Sequence, residues 1–456
     1  VIQTIILARL LPIETFGVYA GAAAIVVITS SLSQFGMAAA FMHRCEETDD
    51  LQKTAAVHFT LQTIFSFGWL AVMLVIGFIF LRSQKDSTLT AFLIIIVSQA
   101  IYNLTMTPRF IFARGVQFKR LSIITIIDTI TTFIAAITLA LLKKPLLALT
   151  VTQISNAVVH VVLLYFWKPI WLPRFGWDPK IVRYFLRFGG QQVVARFLMD
   201  ALDRFDELWV RFYLGSVPLG FYSKAYSFAQ YPSKIVAAPI TSVSNATYSE
   251  IAADRKRLSE AFYRTNSLMI YSGMFIVGAF MLIAGEFIRV VLGERWMPML
   301  LALQIMLPYA MFEPIKQTMA NVFLAVGNPG IIVKIRGVQL AVMILCLFIF
   351  GNLYGVEGVA VAVDIMMVIG ITLILLSVRE YVDYSIKELF LVPGMAVLFG
   401  LLAGAGVDRF LLRSFSDIPA ALIKGILFSL VYIGLIYIFN KKELIDLIKL
   451  LRKHLF

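Results

Sequence analysis

Apolar runs of membrane-spanning length, cut by short polar breaks, make up almost the whole chain. About 20 mostly apolar residues in a helix cross the hydrocarbon of a bilayer. On that criterion the runs predict helices at 17–42, 54–80, 88–112, 121–142, 146–167, 190–213 and 218–244. Further helices are predicted at 262–286, 298–326, 331–351, 355–378, 390–412 and 419–440. An apolar piece at 1–8 precedes them and is too short to span. It reads as the end of a first helix, so that helix is expected to be truncated. It is not a signal peptide, because it lacks a basic start and a small-residue cleavage site. The longest hydrophilic stretches, near 167–180 and 245–260, leave no room for a soluble domain.

A small pattern recurs along this string of helices. Leu11, Gly17, Tyr19 and Ala22 stand 203 residues before Leu214, Gly220, Tyr222 and Ala225, and a long apolar run follows each copy. That distance holds about six helices with their connections. The expected fold is therefore all-α and integral to the membrane: two six-helix bundles related by a pseudo-twofold repeat, plus two extra C-terminal helices. The predicted divisions are 1–175 for the first bundle, 176–380 for the second, and 381–456 for the extra helices and tail.

Composition agrees with this pattern: the chain is 60% hydrophobic with mean hydropathy +0.86, above a soluble domain's usual share of apolar residues. The net charge of +13 would suit nucleic acid, but its distribution does not. With alternate loops assigned to opposite sides, 24 Lys and Arg fall on one side and 9 on the other, with 7 inside spans. The positive-inside rule makes the richer side cytoplasmic, so both termini of the complete protein are expected there. The tail KKELIDLIKLLRKHLF alternates apolar and basic positions at helical spacing and is expected to lie on the cytoplasmic membrane surface. Cys45 and Cys346 are far apart, and His43, His58, His160 and His454 have no ligand spacing. Neither a disulfide framework nor a metal site is expected, no cofactor motif is present, and no catalytic constellation points to an enzyme.

The seventh span breaks the apolar rule. Arg196, Asp200, Asp203, Arg204, Glu207 and Arg211 recur at steps of three and four, so they share one helical face, with Asp206 off it. Alternating signs allow pairs along that face. From 196 to 211 the helix rises about 22 Å, most of the hydrocarbon thickness. Each ion left at the bilayer centre would cost about 2.5–3.5 kcal/mol or more, so the ladder must face water or other helices. Two readings stay open: a salt-bridge ladder that pins the helix to its neighbours, and the lining of a hydrated cavity. Lys224 and Lys234 follow in the eighth span, Lys234 between Pro232 and Pro239 and the better cavity candidate. Glu313 and Lys316, flanked by Pro308 and Pro314 in the tenth span, are candidates for a coupling site or a structural pair. Arg109, after Pro108, and Asp128, in the fifth span, are weighed in the same way, and Asp364 sits mid-span in the twelfth. Six of the seven in-span cations lie in the second half of the repeat: Arg196, Arg204, Arg211, Lys224, Lys234 and Lys316; the seventh is Lys424. Surplus positive charge suits an anionic substrate, above all a phosphate or pyrophosphate gripped by Arg.

At this point a family resemblance enters. LARLLPIETFGVYA resembles the opening of the polysaccharide flippases of the multidrug/oligosaccharidyl-lipid/polysaccharide exporter superfamily. LWVRFYLGSVPLGFYSKAYSFAQYPSKIVAAPITSV resembles the matching start of their second half, and GERWMPMLLALQIMLPYAMFEPI and ANVFLAVGNPG resemble their ninth-to-eleventh-helix region. The likeness is to the O-unit and exopolysaccharide flippases of the Wzx/WzxC-like kind. It implies two bundles in a V around a central cavity and movement of undecaprenyl-pyrophosphate-linked oligosaccharides across the cytoplasmic membrane by alternating access. It also implies that charges of the seventh helix, such as Arg196, Asp200 and Arg204, line the cavity. The expected partners are that lipid-linked substrate and membrane lipids, with polysaccharide polymerase or export machinery as candidate protein partners. The localisation implied is the bacterial inner membrane. A multidrug or cation antiporter shares the architecture but carries an anionic cavity. A membrane polymerase or ligase needs a large outward loop, and those near 287–297 and 405–418 are small.

Overall fold

The computed structural model describes residues 2–38, 40–42, 51–82, 87–115, 117–412, 415–441 and 445. These are helical almost throughout, and no strand occurs among them. The first elements are α1 (Ile2–Leu10), α2 (Ile13–Gln34), α3 (Leu51–Ile76), α4 (Thr88–Leu104), α5 (Met106–Arg114), α6 (Phe118–Leu141), α7 (Pro145–Tyr165) and α8 (Pro179–Tyr213). They are followed by α9 (Ser216–Ile251), α10 (Arg255–Phe287), α11 (Leu300–Ala325), α12 (Gly330–Cys346), α13 (Asn352–Val378), α14 (Ile386–Phe410) and α15 (Asp417–Phe439).

Helices dominate because a backbone in lipid must satisfy its own hydrogen bonds. Among the described residues, nine helical runs are long and apolar enough to cross a membrane, or ten if the pair α4–α5, bent by 43°, counts as one span. The run 330–378 counts once in that tally but holds two expected spans. Gly355, at φ +60°, breaks its helical path, and a Cβ at Gly358 would sit 1.9 Å from the Phe350 carbonyl oxygen. Only glycine allows so tight a reversal. The long helices α8 and α9 are more polar than these runs, α8 because of its charges. With them, and with α1 for the short first piece, every sequence-predicted span has its helix.

Starts are set by local chemistry. Asp178 caps α8 by accepting hydrogen bonds from the Lys180 and Ile181 N–H groups at 2.8 and 3.2 Å, with Pro179 in the first turn. Asp254 caps α10 in the same way, and Ser385 caps α14. The α4–α5 bend falls at Thr105, whose hydroxyl donates to the Tyr102 carbonyl at 2.6 Å. Pro108, in the first turn of α5, lacks the N–H that would continue α4 through the bend.

By contacts the chain divides into two compact units, Val1–Gly220 and Phe221–Phe456. In the first, α2 packs on α8, α4 and α3, and α7 on α6 and α4. In the second, α11 packs on α13 and α10, and α14 and α15 pack on each other and on α10. The contact boundary falls after α8, whereas the repeat places a half-boundary before it; the 1–175, 176–380, 381–456 grouping therefore rests on the sequence repeat alone.

The repeat has a physical counterpart inside the first unit. A Cβ on Gly17 would meet the Ser216 carbonyl oxygen at 1.7 Å and the Gly220 nitrogen at 2.9 Å. A Cβ on Gly220 would meet the Ile13 carbonyl oxygen at 2.5 Å. Ile13 and Ser216 are themselves 203 residues apart, like Gly17 and Gly220. The starts of α2 and α9 thus touch reciprocally, each glycine against the other copy's first turn, as a local twofold requires.

Candidate functional site

Helix α8 runs 35 residues, about 52 Å at 1.5 Å per residue. It is longer than the predicted 190–213 because its first turns, with Lys180, Arg183 and Arg187 exposed, form a polar extension. Asp178 ties that extension to α3 through an ion pair with Lys53 at 2.6 Å. The hydrogen bond from Lys53, helped by the backbone N–H of Ile181, holds the Asp178 carboxyl down to about 2.

Along the charged face, pairing is local. Arg196 Nε lies 3.0 Å from an Asp200 carboxylate oxygen, one turn on. Arg204 Nη1 donates to Glu207 Oε1 at 2.6 Å. The two ends of each pair are not equivalent. The Arg196 side chain is 69% exposed and that of Arg204 36%, while Asp200 and Glu207 are buried. Asp203 is exposed beside them. The ladder therefore hides two acids behind the guanidiniums and presents Arg196 and Arg204 against one exposed carboxylate. Arg211 differs: it is buried, donates through Nη2 to the Thr88 hydroxyl at 2.8 Å, and lies over Gly21, where a Cβ would come within 2.7 Å of its Cδ. It bolts α8 to α2 and α4. Arg211 thus anchors the helix to its neighbours, while the side chains of Arg196 and Arg204 reach the surface of the unit.

Tyr19, noticed in the sequence only as a repeat marker, belongs beside the ladder. Its hydroxyl accepts from Gln153 Nε2 of α7 at 3.3 Å and lies in the field of Arg204 and Glu207. Asp128 and Arg109 stand apart from α8 and share one neighbourhood around His160. Arg109 donates to the Tyr102 hydroxyl, and the Tyr102 ring meets the His160 ring edge-on at 5.2 Å. Ser155 donates to Asp128 at 2.8 Å, and both Arg109 and Asp128 act electrostatically on His160. The side chain of Lys234 lies outside the described residues.

In the second unit, Glu313 pairs with Lys316 one turn on and faces Arg336 at 4.0 Å, and Lys316 is fully buried. Arg336 sits nearly two turns inside α12, within the predicted span 331–351. A second cluster was missed. Buried Lys424 of α15 lies 2.5 Å from Glu286 and 3.0 Å from Asp408, and Arg289 binds Asp417 at 2.8 Å. It fastens α14 and α15 to the end of α10. Asp364 stands on the apolar face of α13 beside a cavity of about 260 Å³ lined by Val361, Ile365, Val368 and Ile369. No group of His, Cys, Asp and Glu among the described residues could hold a metal ion.

Fold and composition together define a multi-pass helical membrane protein in which α8 carries a ladder of charges at helical spacing. The chain belongs to the polysaccharide biosynthesis protein family, whose model matches residues 6–301. It is 22% identical over 379 residues to the lipopolysaccharide biosynthesis protein WzxC of Escherichia coli strain K12, covering 81% of this chain and 75% of that one. Its fold is similar to that of the lipid II flippase MurJ in an inward closed conformation, with TM-score 0.80 over 96% of each chain at 17% identity. It is also similar to an inward-facing multidrug resistance transporter of the MATE family, with TM-score 0.65 over 83% of this chain at 13% identity.

Proposed function

We propose that this chain moves a lipid-linked oligosaccharide, an undecaprenyl-pyrophosphate-linked polysaccharide repeat unit, across the bacterial cytoplasmic membrane by alternating access. It acts as a transporter and not as an enzyme. The observation that carries this reading is the asymmetric exposure of the α8 ladder. Arg196 and Arg204 are presented while their acidic partners are buried, so the helix offers guanidiniums able to grip a pyrophosphate bidentately. Exposed guanidiniums at membrane depth cannot face lipid cheaply, so they face the aqueous route of the substrate. The buried acids keep part of each arginine's charge engaged, which lets the pyrophosphate leave as well as bind. A relative named for lipopolysaccharide biosynthesis and a fold neighbour named as a lipid II flippase support this reading. Lys234 is proposed to add to this route, and Glu313 with Lys316 and Arg109 with Asp128 to serve coupling or support. The basic side is proposed to face the cytoplasm, with both ends of the complete protein there and polymerase or export machinery as partners.

The test is polysaccharide export in cells. Arg196→Ala or Arg204→Ala should abolish it while the protein stays inserted at normal abundance. Arg196→Asp with Asp200→Arg keeps the pair and moves the exposed cation, and should also fail. Full export from that swapped protein would leave the ladder a structural pin. The MATE likeness supports a second reading, efflux of organic cations. It predicts dye efflux that Arg204→Ala leaves intact or improves, and no loss of polysaccharide.

A further inference from the structure

The connection between α7 and α8, residues 166–178, is an unusual surface. It carries no helix or strand from 172 to 178, and it begins one residue past the span α7. In water such a segment would be polar. Here Phe166 is 77% exposed, Phe175 74% and Trp177 62%, with Trp167, Ile170 and Leu172 also exposed. Lys168 and Arg174 are exposed among them, and Arg183 and Arg187 continue the basic charge into α8. The one acid, Asp178, is engaged by Lys53.

The strap is held firmly to the first unit. Arg120 of α6 donates to the carbonyls of Trp167 and Lys168 and lies 5.4 Å from the Trp167 ring. Trp171 turns inward and is buried edge-on against Phe59 of α3 at 5.5 Å. The Gly176 N–H donates to the Thr60 hydroxyl at 2.9 Å, and a Cβ there would strike Ala56 at 2.8 Å. Its outward rings are thus presented by a pinned backbone.

Two physical limits fix where those rings sit. Non-helical backbone cannot enter hydrocarbon exposed to lipid, because its N–H and C=O groups would go unsatisfied. A contiguous set of large aromatic side chains does not stay in water without a partner. The layer that satisfies both is the headgroup region, where Trp and other aromatic rings concentrate. Five exposed cations, Lys168, Arg174, Lys180, Arg183 and Arg187, against one engaged acid select its chemistry. We propose that residues 166–178 form a fixed membrane-surface belt that binds the anionic phospholipid headgroups of the adjoining leaflet. The rings wedge between headgroups while Lys168 and Arg174 contact their phosphates. This inference does not depend on the transported substrate.

The test uses the full chain in lipid vesicles, with Cys45 and Cys346 replaced by alanine and an environment-sensitive fluorophore on Phe175→Cys or Trp177→Cys. Lipids carrying a quencher at the headgroup should quench the label more than lipids carrying it mid-chain, and aqueous iodide should quench it weakly. Spin-labelled phosphatidylglycerol should be enriched around the protein over phosphatidylcholine. Lys168→Gln with Arg174→Gln should lower that enrichment by roughly five-fold per cation removed at low salt, without shifting thermal unfolding. Strong iodide quenching would place the belt in water, and strongest mid-chain quenching would place it in hydrocarbon. A label silent to all three quenchers would put protein over it. Each of these outcomes overturns the proposal, as does an enrichment unchanged by the paired substitution.

Discussion

The reciprocal crossing of α2 and α9 makes a graded prediction. Alanine at Gly17 places a Cβ 1.7 Å from the Ser216 carbonyl oxygen, and alanine at Gly220 places one 2.5 Å from that of Ile13. Both obstacles are backbone, so no side chain can swing aside. To reach ordinary contact near 3.4 Å the helix starts must part by about 1.7 Å in the first case and about 0.9 Å in the second. Overpacking of this kind costs about 1–3 kcal/mol, and Gly17→Ala should lie at the upper end and Gly220→Ala at the lower. The same parting relieves both clashes, so the double variant should cost little more than Gly17→Ala alone. Gly68→Ala is the control, because nothing lies within 4 Å of a Cβ there, and helix propensity should make it neutral or slightly stabilising. Thermal unfolding of the purified protein gives the order. A thiol probe applied from outside cells to Ser216→Cys gives the geometry, since labelling should rise when Gly17→Ala is added. Equal midpoints for Gly17→Ala and Gly68→Ala, or fully additive losses in the double variant, would refute the crossing.

Three shorter predictions follow from buried or capping polar groups. Lys424→Met leaves Glu286 buried without its ammonium partner and should destabilise the second unit by about 3–5 kcal/mol, while adding Glu286→Gln should restore much of the loss in the same unfolding assay. Because the folded carboxyl of Asp178 is depressed to about 2, its cap on α8 should be complete above the ordinary carboxylate range and lost only as pH falls through about 2. Hydrogen exchange at Lys180 and Ile181 should show that protection down to low pH in the native protein and lose it at all pH values in Asp178→Ala, which has no side-chain acceptor. Asn103→Ala removes the bond from its Nδ2 to the buried Ser33 hydroxyl at 2.9 Å and should cost about 0.6–1.7 kcal/mol, read as a lower unfolding midpoint.

The spans were legible because bilayer thickness imposes a length and a composition that no tertiary contact needs to supply. The repeat was legible for a steric reason now visible: Gly17 and Gly220 are small because each meets a backbone carbonyl of the other copy. The start of α8 was not, since residues 180–187 form a helix outside the apolar stretch and carry no hydropathy signal. The face of the ladder could be read from its spacing, but not which ends of it are buried. That depends on Thr88 and Gly21 drawing Arg211 inward and on the packing over Asp200 and Glu207. The Lys424 cluster joins residues more than a hundred positions apart, so its partners could not be paired from sequence. Cys45 and most of the basic tail, for which the sequence carried expectations, lie outside the described residues.

The two copies of the repeat also differ where the function is proposed to lie. At the 203-residue offset, Arg204, Asp206, Glu207 and Arg211 correspond to Val1, Gln3, Thr4 and Ala8, and Lys224 corresponds to Gly21. Charges in the second copy stand against apolar or neutral residues in the first, while Leu, Gly, Tyr and Ala match at the helix crossing. A shared origin for the halves accounts for the matched residues, because the crossing needs both glycines at once. It does not account for the charges. A ladder needed only to hold helices together could have served either copy, and burial of four charges for that purpose alone is poorly repaid. Arg211 sits on Gly21, the very position whose counterpart is Lys224, so the first copy gave up side-chain volume where the second copy's arginine packs. That substitution couples the two copies in one direction only. Under the proposed function, this one-sided arrangement assigns the contacts with an anionic cargo to α8.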